Sequence, residues 1–268
     1  MTAPADSTSL RARLETLVRE SAVVALKTGT EVEDMSFAEI ALLRELSQGL
    51  LPLFVKIGGP EARNDIRELN HIGVDGLIAP MIESPYALQN FIGSLRDCLS
   101  AADYERIEKG INLETITGFQ NMNAILELPE AAELDQVTAA RSDLSGAMGG
   151  LATNDPRVSE SCAAIVARCR KSGLRTSIGG GILPDVAEGL IAAAAPDTIN
   201  TRHMVLDCAA MRATGSVADC VRAALEFELL LSLRLASLDS AAGVRATAHE
   251  ARARTLEQRL ARSPVEKF

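Results

Sequence analysis

Strand-like runs alternate with amphipathic segments at intervals of about thirty residues from Ala22 to Asn200, and this rhythm leaves few folds open. The runs are Ala22–Leu26, Leu53–Ile57, Gly76–Met81, Arg106–Glu114, Leu134–Ala140, Arg175–Ile178 and Thr198–Asn200. Between them the apolar spacing changes from continuous to helical, and capping residues mark the helix starts. Ser36 with Glu39 has capping-box spacing, with the helix expected to reach about Leu50; Ser84-Pro85 opens a helix through Leu99; Gly58-Gly59-Pro60 is expected to lead into a helix with Pro near its first position. Thr117–Leu128, Glu160–Ser172 and Asp185–Ala194 read as further helices, and Leu10–Glu20 as one that precedes the first strand. Parallel strands joined by right-handed crossovers follow from this order, and the expected fold is a TIM-type (β/α)8 barrel. Seven strands are visible; the eighth is expected to be either weakly marked near the N-terminus or missing.

The barrel is expected over residues 10–206, followed by a C-terminal helical extension over 207–268. In that extension Val217–Leu238 carries more apolar surface than one side of a barrel needs, while Ala246–Arg262 alternates Ala with Arg and Glu and is expected to pack on a neighbouring subunit. The 268 residues suffice for one such barrel, and an aromatic content of 3% without Trp makes the core aliphatic and Ala-rich. A net charge of −9 argues against a nucleic-acid partner, which needs a basic face to displace counterions. No run of eighteen apolar residues and no signal-peptide pattern is present, so the expectation is no membrane partner and a cytoplasmic location. The five cysteines lack a CxxC pair and are expected to be reduced and mostly buried.

In parallel α/β folds functional groups collect at the carboxyl ends of the strands. Two successive strand-like stretches, Gly110–Glu114 and Val137–Asp143, each run into a carboxylate, which places Glu114 and Asp143 side by side. Two anionic oxygens are too few for a closed calcium cage but suit Mg²⁺ or Mn²⁺, which keeps waters and takes further ligands from a substrate. A 2-oxo acid chelates such a metal through its carboxylate and keto oxygens, and the metal stabilises the enolate formed in aldol chemistry. Lys56 and Arg141 are the candidates for anchoring the substrate and balancing its charge, and Glu31 or Glu83 for moving the proton. Thr115, Ser142 and Arg202 complete the expected substrate contacts. Of the three histidines, only His203 stands at a strand end. A surface ion-pair network is the structural alternative for this charged set.

The ordered succession Val55-Lys56-Ile57-Gly58-Gly59-Pro60-Glu61-Ala62, Ile78-Ala79-Pro80-Met81-Ile82-Glu83-Ser84-Pro85, Asn112-Leu113-Glu114-Thr115 and Arg141-Ser142-Asp143-Leu144-Ser145-Gly146 resembles the HpcH/HpaI aldolase and citrate lyase beta-chain family. The likeness covers roughly Val23 to His203. It implies a phosphoenolpyruvate/pyruvate-type barrel with Mg²⁺ on Glu114 and Asp143, C–C bond chemistry beside a 2-oxo acid or acyl-CoA thioester, and a homo-oligomer, trimer or hexamer, that exchanges a C-terminal helix. Its partners would be a 2-oxo acid and a second carbonyl substrate. The chain departs from the family pattern in having no His between Lys27 and Asp34 and in carrying Lys56 where family members carry Arg. The expected activity is therefore a metal-dependent, class II aldolase or C–C lyase. A Schiff-base aldolase using Lys56 and a non-catalytic barrel that binds a 2-oxo acid are the alternatives.

Overall fold

The computed structural model describes residues 6–238 and 243–262. Eight strands close into a barrel in sequence order: β1 (Val23–Gly29), β2 (Leu53–Lys56), β3 (Gly76–Ala79), β4 (Glu108–Leu113), β5 (Gln136–Ala140), β6 (Arg175–Gly179), β7 (Thr198–Asn200) and β8 (Met204–Asp207). The first seven run parallel. The eighth corrects the expectation drawn from sequence: it is neither near the N-terminus nor missing, but follows β7 through a tight turn at residues 201–203 and pairs antiparallel with both β7 and β1. A three-residue connection cannot hold a crossover helix, so the chain can only reverse there. The β1–β8 register shifts between Val23 and Ala25, and Val24 at this irregularity is 40% exposed.

The capping box is formed: the Ser36 hydroxyl accepts from the Glu39 N–H and the Glu39 carboxylate accepts from the Ser36 N–H. Ser84 likewise caps the helix Pro85–Cys98. The helix after β2 starts at Arg63 rather than beside Pro60, because Gly58–Pro60 stays in a turn whose Gly58 N–H donates to Asp65. Four of the five cysteines are buried and all are free. Among the described residues no helix is long and apolar enough to cross a membrane.

Val217–Leu238 is part of the barrel's outer layer. It packs between the helices Pro184–Ala194 and Ser7–Glu20, the position a last barrel helix takes, and buries Val221, Leu225, Phe227, Leu231 and Leu235 there. The helix Val244–Arg262 packs on it within the chain and buries Ala246, Ala253 and Leu256. Residues 239–242 and 263–268 of the expected extension lie outside the described residues.

Side chains two apart on a strand share a face, so each barrel layer can be read from the one below it. A small plug of Ala25, Phe54, Ile78 and Val205 fills the lower interior. Gly76 makes room for Phe54: a Cβ there would overlap the phenyl ring and sit 3.1 Å from the Glu108 carbonyl oxygen. Gly76→Ala is expected to destabilise the fold by about 1–3 kcal/mol through overpacking, measured by urea denaturation. Adding Phe54→Leu should recover part of that loss; an unchanged midpoint in the single variant would count against this packing.

Candidate active site

One step above the plug, the interior turns polar. Lys27 lies two residues beyond Ala25 on β1, Lys56 two beyond Phe54 on β2, and Asn112, Thr138 and Asn200 project from β4, β5 and β7. These side chains floor a cavity of about 280 Å³. Its rim is built from Val32 and Glu33 after β1, Ser142 and Asp143 after β5, Gly179–Ile182 after β6 and Arg202 in the β7–β8 turn. Leu225 and the side chains of Arg252 and Arg259, from the two long C-terminal helices, close it from above. Gly180 has φ +87°, and a Cβ there would stand 2.6 Å from the Ser142 nitrogen, so only glycine lets the ends of β5 and β6 approach this closely.

Charge is distributed unevenly around this cavity. Lys27, Lys56, Arg202, Arg252 and Arg259 face it, against the carboxylates Glu33 and Asp143. The Lys56 ammonium is 2.6 Å from Glu31 and 3.9 Å from Glu33. Burial works to lower its pKa, but Glu33 and Glu31 outweigh burial and hold it above the usual lysine value. Lys27 behaves oppositely: burial and the charge of Lys56 depress its pKa against the pull of Glu33, Glu114 and Asp143. Among the described residues no carboxylate oxygen lies within 4.0 Å of its Nζ. Burial alone would raise the Glu33 carboxyl; Lys27, Lys56 and Arg202 hold it below its ordinary value.

The structure separates the residues expected from sequence. Asp143, Ser142, Lys56 and Arg202 line the cavity. Arg141 does not: it is 1% exposed, and its guanidinium donates to the carbonyls of Gly180 (3.2 Å) and Thr153 (2.8 Å) and to the Asn154 side chain. It opens the helix Arg141–Ala147 and turns inward to clamp two loops, so it is spent on the scaffold rather than on a substrate carboxylate. Thr115 caps the helix Ile116–Leu126 by accepting from the Gly118 N–H and is absent from the cavity wall. Glu83 also lies off the wall, with its backbone carbonyl taking a hydrogen bond from Asn121, and Glu31 reaches the site only through Lys56. Glu33, Arg252 and Arg259 join the site without a sequence signal, and Lys27, a strand-end residue in the sequence, joins it without an expected role. For Lys27 the signal was available: a lysine in phase with the inward-facing Ala25 of an apolar strand.

His203 is withdrawn from acid–base work by its surroundings. It is buried, its Nδ1 faces the Lys27 carbonyl oxygen at 3.3 Å, and burial lowers its pKa to about 4. A histidine whose folded pKa lies below its unfolded value contributes stability that is intact above pH about 6.5 and is lost as pH falls through the folded pKa. Stability should therefore decline on the order of 3 kcal/mol from pH 6.5 toward 4, measured by urea midpoints. His203→Gln should flatten the upper part of that profile, above the range in which carboxylates titrate.

Glu114 sits at the end of β4, 2% exposed. Its Oε1 accepts from the Met81 N–H at 2.7 Å and its Oε2 from the Asn112 Nδ2 at 3.0 Å, yet burial still raises its pKa. Met81 has φ +54°, a strained backbone for a non-glycine residue, and that backbone delivers the N–H to Glu114. Asn112 Oδ1 is buried without a hydrogen-bond partner and its side chain lines the cavity. Among the described residues no set of three His, Cys, Asp or Glu side chains that could hold a metal ion is present. Glu114 is not on the cavity wall, unlike Asp143 and Asn112, but it is near enough to Asp143 for the two charges to interact; these carboxylates with the unpaired Asn112 oxygen are hard, incomplete oxygen donors of the kind that suit Mg²⁺ or Mn²⁺.

No protein-family model and no curated protein matches the chain. The fold does match solved structures. It is similar to a HpcH/HpaI aldolase/citrate lyase family protein from Burkholderia cenocepacia J2315 at 16% identity, covering 82% of this chain and 90% of that one with a TM-score of 0.61. A HpcH/HpaI aldolase from Desulfitobacterium hafniense DCB-2 follows at 16% identity, 82% and 89% coverage and a TM-score of 0.57. The citrate synthase SbnG matches at 17% identity, 68% and 78% coverage and a TM-score of 0.53. At these identities the likeness establishes a shared barrel.

Proposed function

We propose that this chain is a carbon–carbon lyase or aldolase acting on a pyruvate-type 2-oxo acid through an enolate, with Mg²⁺ or Mn²⁺ held by Glu114 and Asp143. The observation that carries the reading is the grouping of two carboxylates at adjacent strand ends with two inward lysines: Asp143, Lys27 and Lys56 line the cavity, and Glu114, just off its wall, is close enough for its charge to act on both lysines. The fold shared with aldolases supports it. When bound, the metal supplies Lewis acidity toward the carboxylate and keto oxygens of the 2-oxo acid.

The chain's own groups divide the remaining work. Lys56, fixed by Glu31 and Glu33, presents a permanent positive charge to the oxygen on which negative charge develops. Ser142 offers a donor to the substrate carboxylate, and Arg202, farther up the wall, is left for the second substrate. Lys27 replaces Glu31 and Glu83 as the proton carrier, because its depressed pKa makes the neutral amine accessible closer to neutral pH. In the cleavage direction that amine takes the hydroxyl proton of the aldol, the C–C bond breaks, and its electron pair passes into the enolate. The resulting ammonium then returns the proton to carbon. In D₂O with Mg²⁺, the protein should exchange the methyl protons of pyruvate, followed by NMR, and EDTA should stop the exchange. Pyruvate that binds without any exchange would overturn the reading.

The depressed pKa of Lys27 also favours a second reading, in which it, rather than the ion-paired Lys56, adds to the keto carbon and expels water as an imine. Borohydride in the presence of pyruvate and EDTA separates the two. A reduced adduct on the Lys27 peptide supports the imine; its absence, with metal-dependent exchange intact, supports the metal.

A further inference from the structure

Three guanidiniums meet at the upper end of the cavity, and they come from different parts of the chain. Arg202 stands in the β7–β8 turn, while Arg252 and Arg259 hang from the helix Val244–Arg262. That helix is seated firmly over the mouth. His249 Nε2 lies 2.7 Å from the Glu39 carboxylate, Arg222 donates to the Leu260 carbonyl at 3.3 Å, and Leu256 is fully buried.

The three arginines share one close carboxylate partner. Glu228, wholly buried, receives Arg252 at 3.1 Å and the His203 N–H at 2.6 Å. Among the described residues Arg202 donates only to the Val32 carbonyl, at 3.3 Å, and Arg259 has no carboxylate within 4.0 Å. The Arg252 Nε is buried with no acceptor. Arg202 also feels the Glu33 carboxylate across the cavity, so three guanidiniums face two carboxylates, and about one positive charge and several N–H donors are left for an anion to complete.

We propose that Arg202, Arg252 and Arg259 form a subsite for a doubly charged oxyanion, a phosphate monoester or a dicarboxylate, carried by the second substrate. Planar guanidiniums match such groups bidentately, and three of them at one end of the cavity offer donors to several oxyanion oxygens at once. Assigning this anion to the second carbonyl substrate rests on the lyase reading above; the binding of a dianion does not.

The test is calorimetric titration of the full chain with inorganic phosphate and with malonate, without added metal, using acetate as the monoanion reference. Mg²⁺ with oxalate is titrated separately as a probe of the Glu114 and Asp143 end. At least one dianion should bind more tightly than acetate, and Arg259→Gln and Arg252→Gln should each weaken it about tenfold while oxalate binding persists. Arg259→Lys, which keeps the charge but loses the fork, should fall between wild type and Gln. Preference for phosphate assigns a phosphate monoester, and preference for malonate a dicarboxylate. Dianions that bind no better than acetate, or equally well to Arg259→Gln, overturn the subsite. Normal phosphate behaviour with no oxalate binding would leave the subsite standing and remove the lyase reading instead.

Discussion

Glu114→Gln is expected to lower the Mg²⁺-dependent exchange of pyruvate methyl protons by about a thousandfold or more, with the melting temperature unchanged or slightly raised. The two effects separate because the carboxylate's charge serves the site and not the fold. Burial raises the Glu114 pKa, so the folded state favours the neutral acid. The sign follows: a carboxyl with a raised folded pKa contributes stability below its unfolded pKa and loses it as pH rises through the folded value. At neutral pH the ionised side chain is a cost, which the amide removes. Gln can also keep both hydrogen bonds. Its oxygen accepts from the Met81 N–H, and its NH₂ donates to Asn112 once that side chain flips and turns its unpaired Oδ1 toward it. Loss of exchange together with a large drop in melting temperature would mean that Glu114 is structural.

Lys27→Met should reduce turnover by about a hundredfold to ten-thousandfold and at the same time stabilise the protein by about 1 kcal/mol or more at neutral pH. Lys27 is buried with its pKa depressed, so its charged form is unfavourable in the fold at any pH below the ordinary lysine range. Met has similar length and no charge to desolvate. In the wild type, activity should rise with pH through the depressed Lys27 pKa, since the neutral amine is the base; Lys27→Met should lack that limb. Urea midpoints and a pH–rate profile check both parts. A destabilised variant with normal turnover would place Lys27 in the scaffold. This is a stability–function trade-off of the kind expected where a buried charge is kept for chemistry.

Much of this architecture is written locally in the sequence. Strand spacing, the Ser36–Glu39 box and the Ser84-Pro85 start depend on neighbours within one turn of helix or one strand, and they fold as their local chemistry directs. What depends on tertiary closure was less legible. Met204–Asp207 is a short apolar run, and nothing in such a run encodes whether it lies parallel or antiparallel to β1. Arg141 looks like a strand-end side chain until the helix it opens turns it toward Thr153 and Asn154. Arg252 and Arg259 sit in an Ala- and Arg-rich helix whose inner face is defined only by the barrel beneath it. Glu33 stands in a loop, where neither periodicity applies, and gains its position from the two lysines it faces. Lys27 is legible in the sequence as a strand-end lysine in period-two phase with Ala25.

As proposed above, Glu114 and Asp143 would hold a divalent metal for a chelating 2-oxo acid. Anomalous diffraction from crystals soaked with Mn²⁺ and oxalate tests it most directly. The expected result is a Mn²⁺ peak coordinated by the Glu114 and Asp143 carboxylates, with oxalate completing its shell on the side of Lys56. Oxalate bound against Lys27 and Lys56 with no Mn²⁺ between the two carboxylates would contradict it.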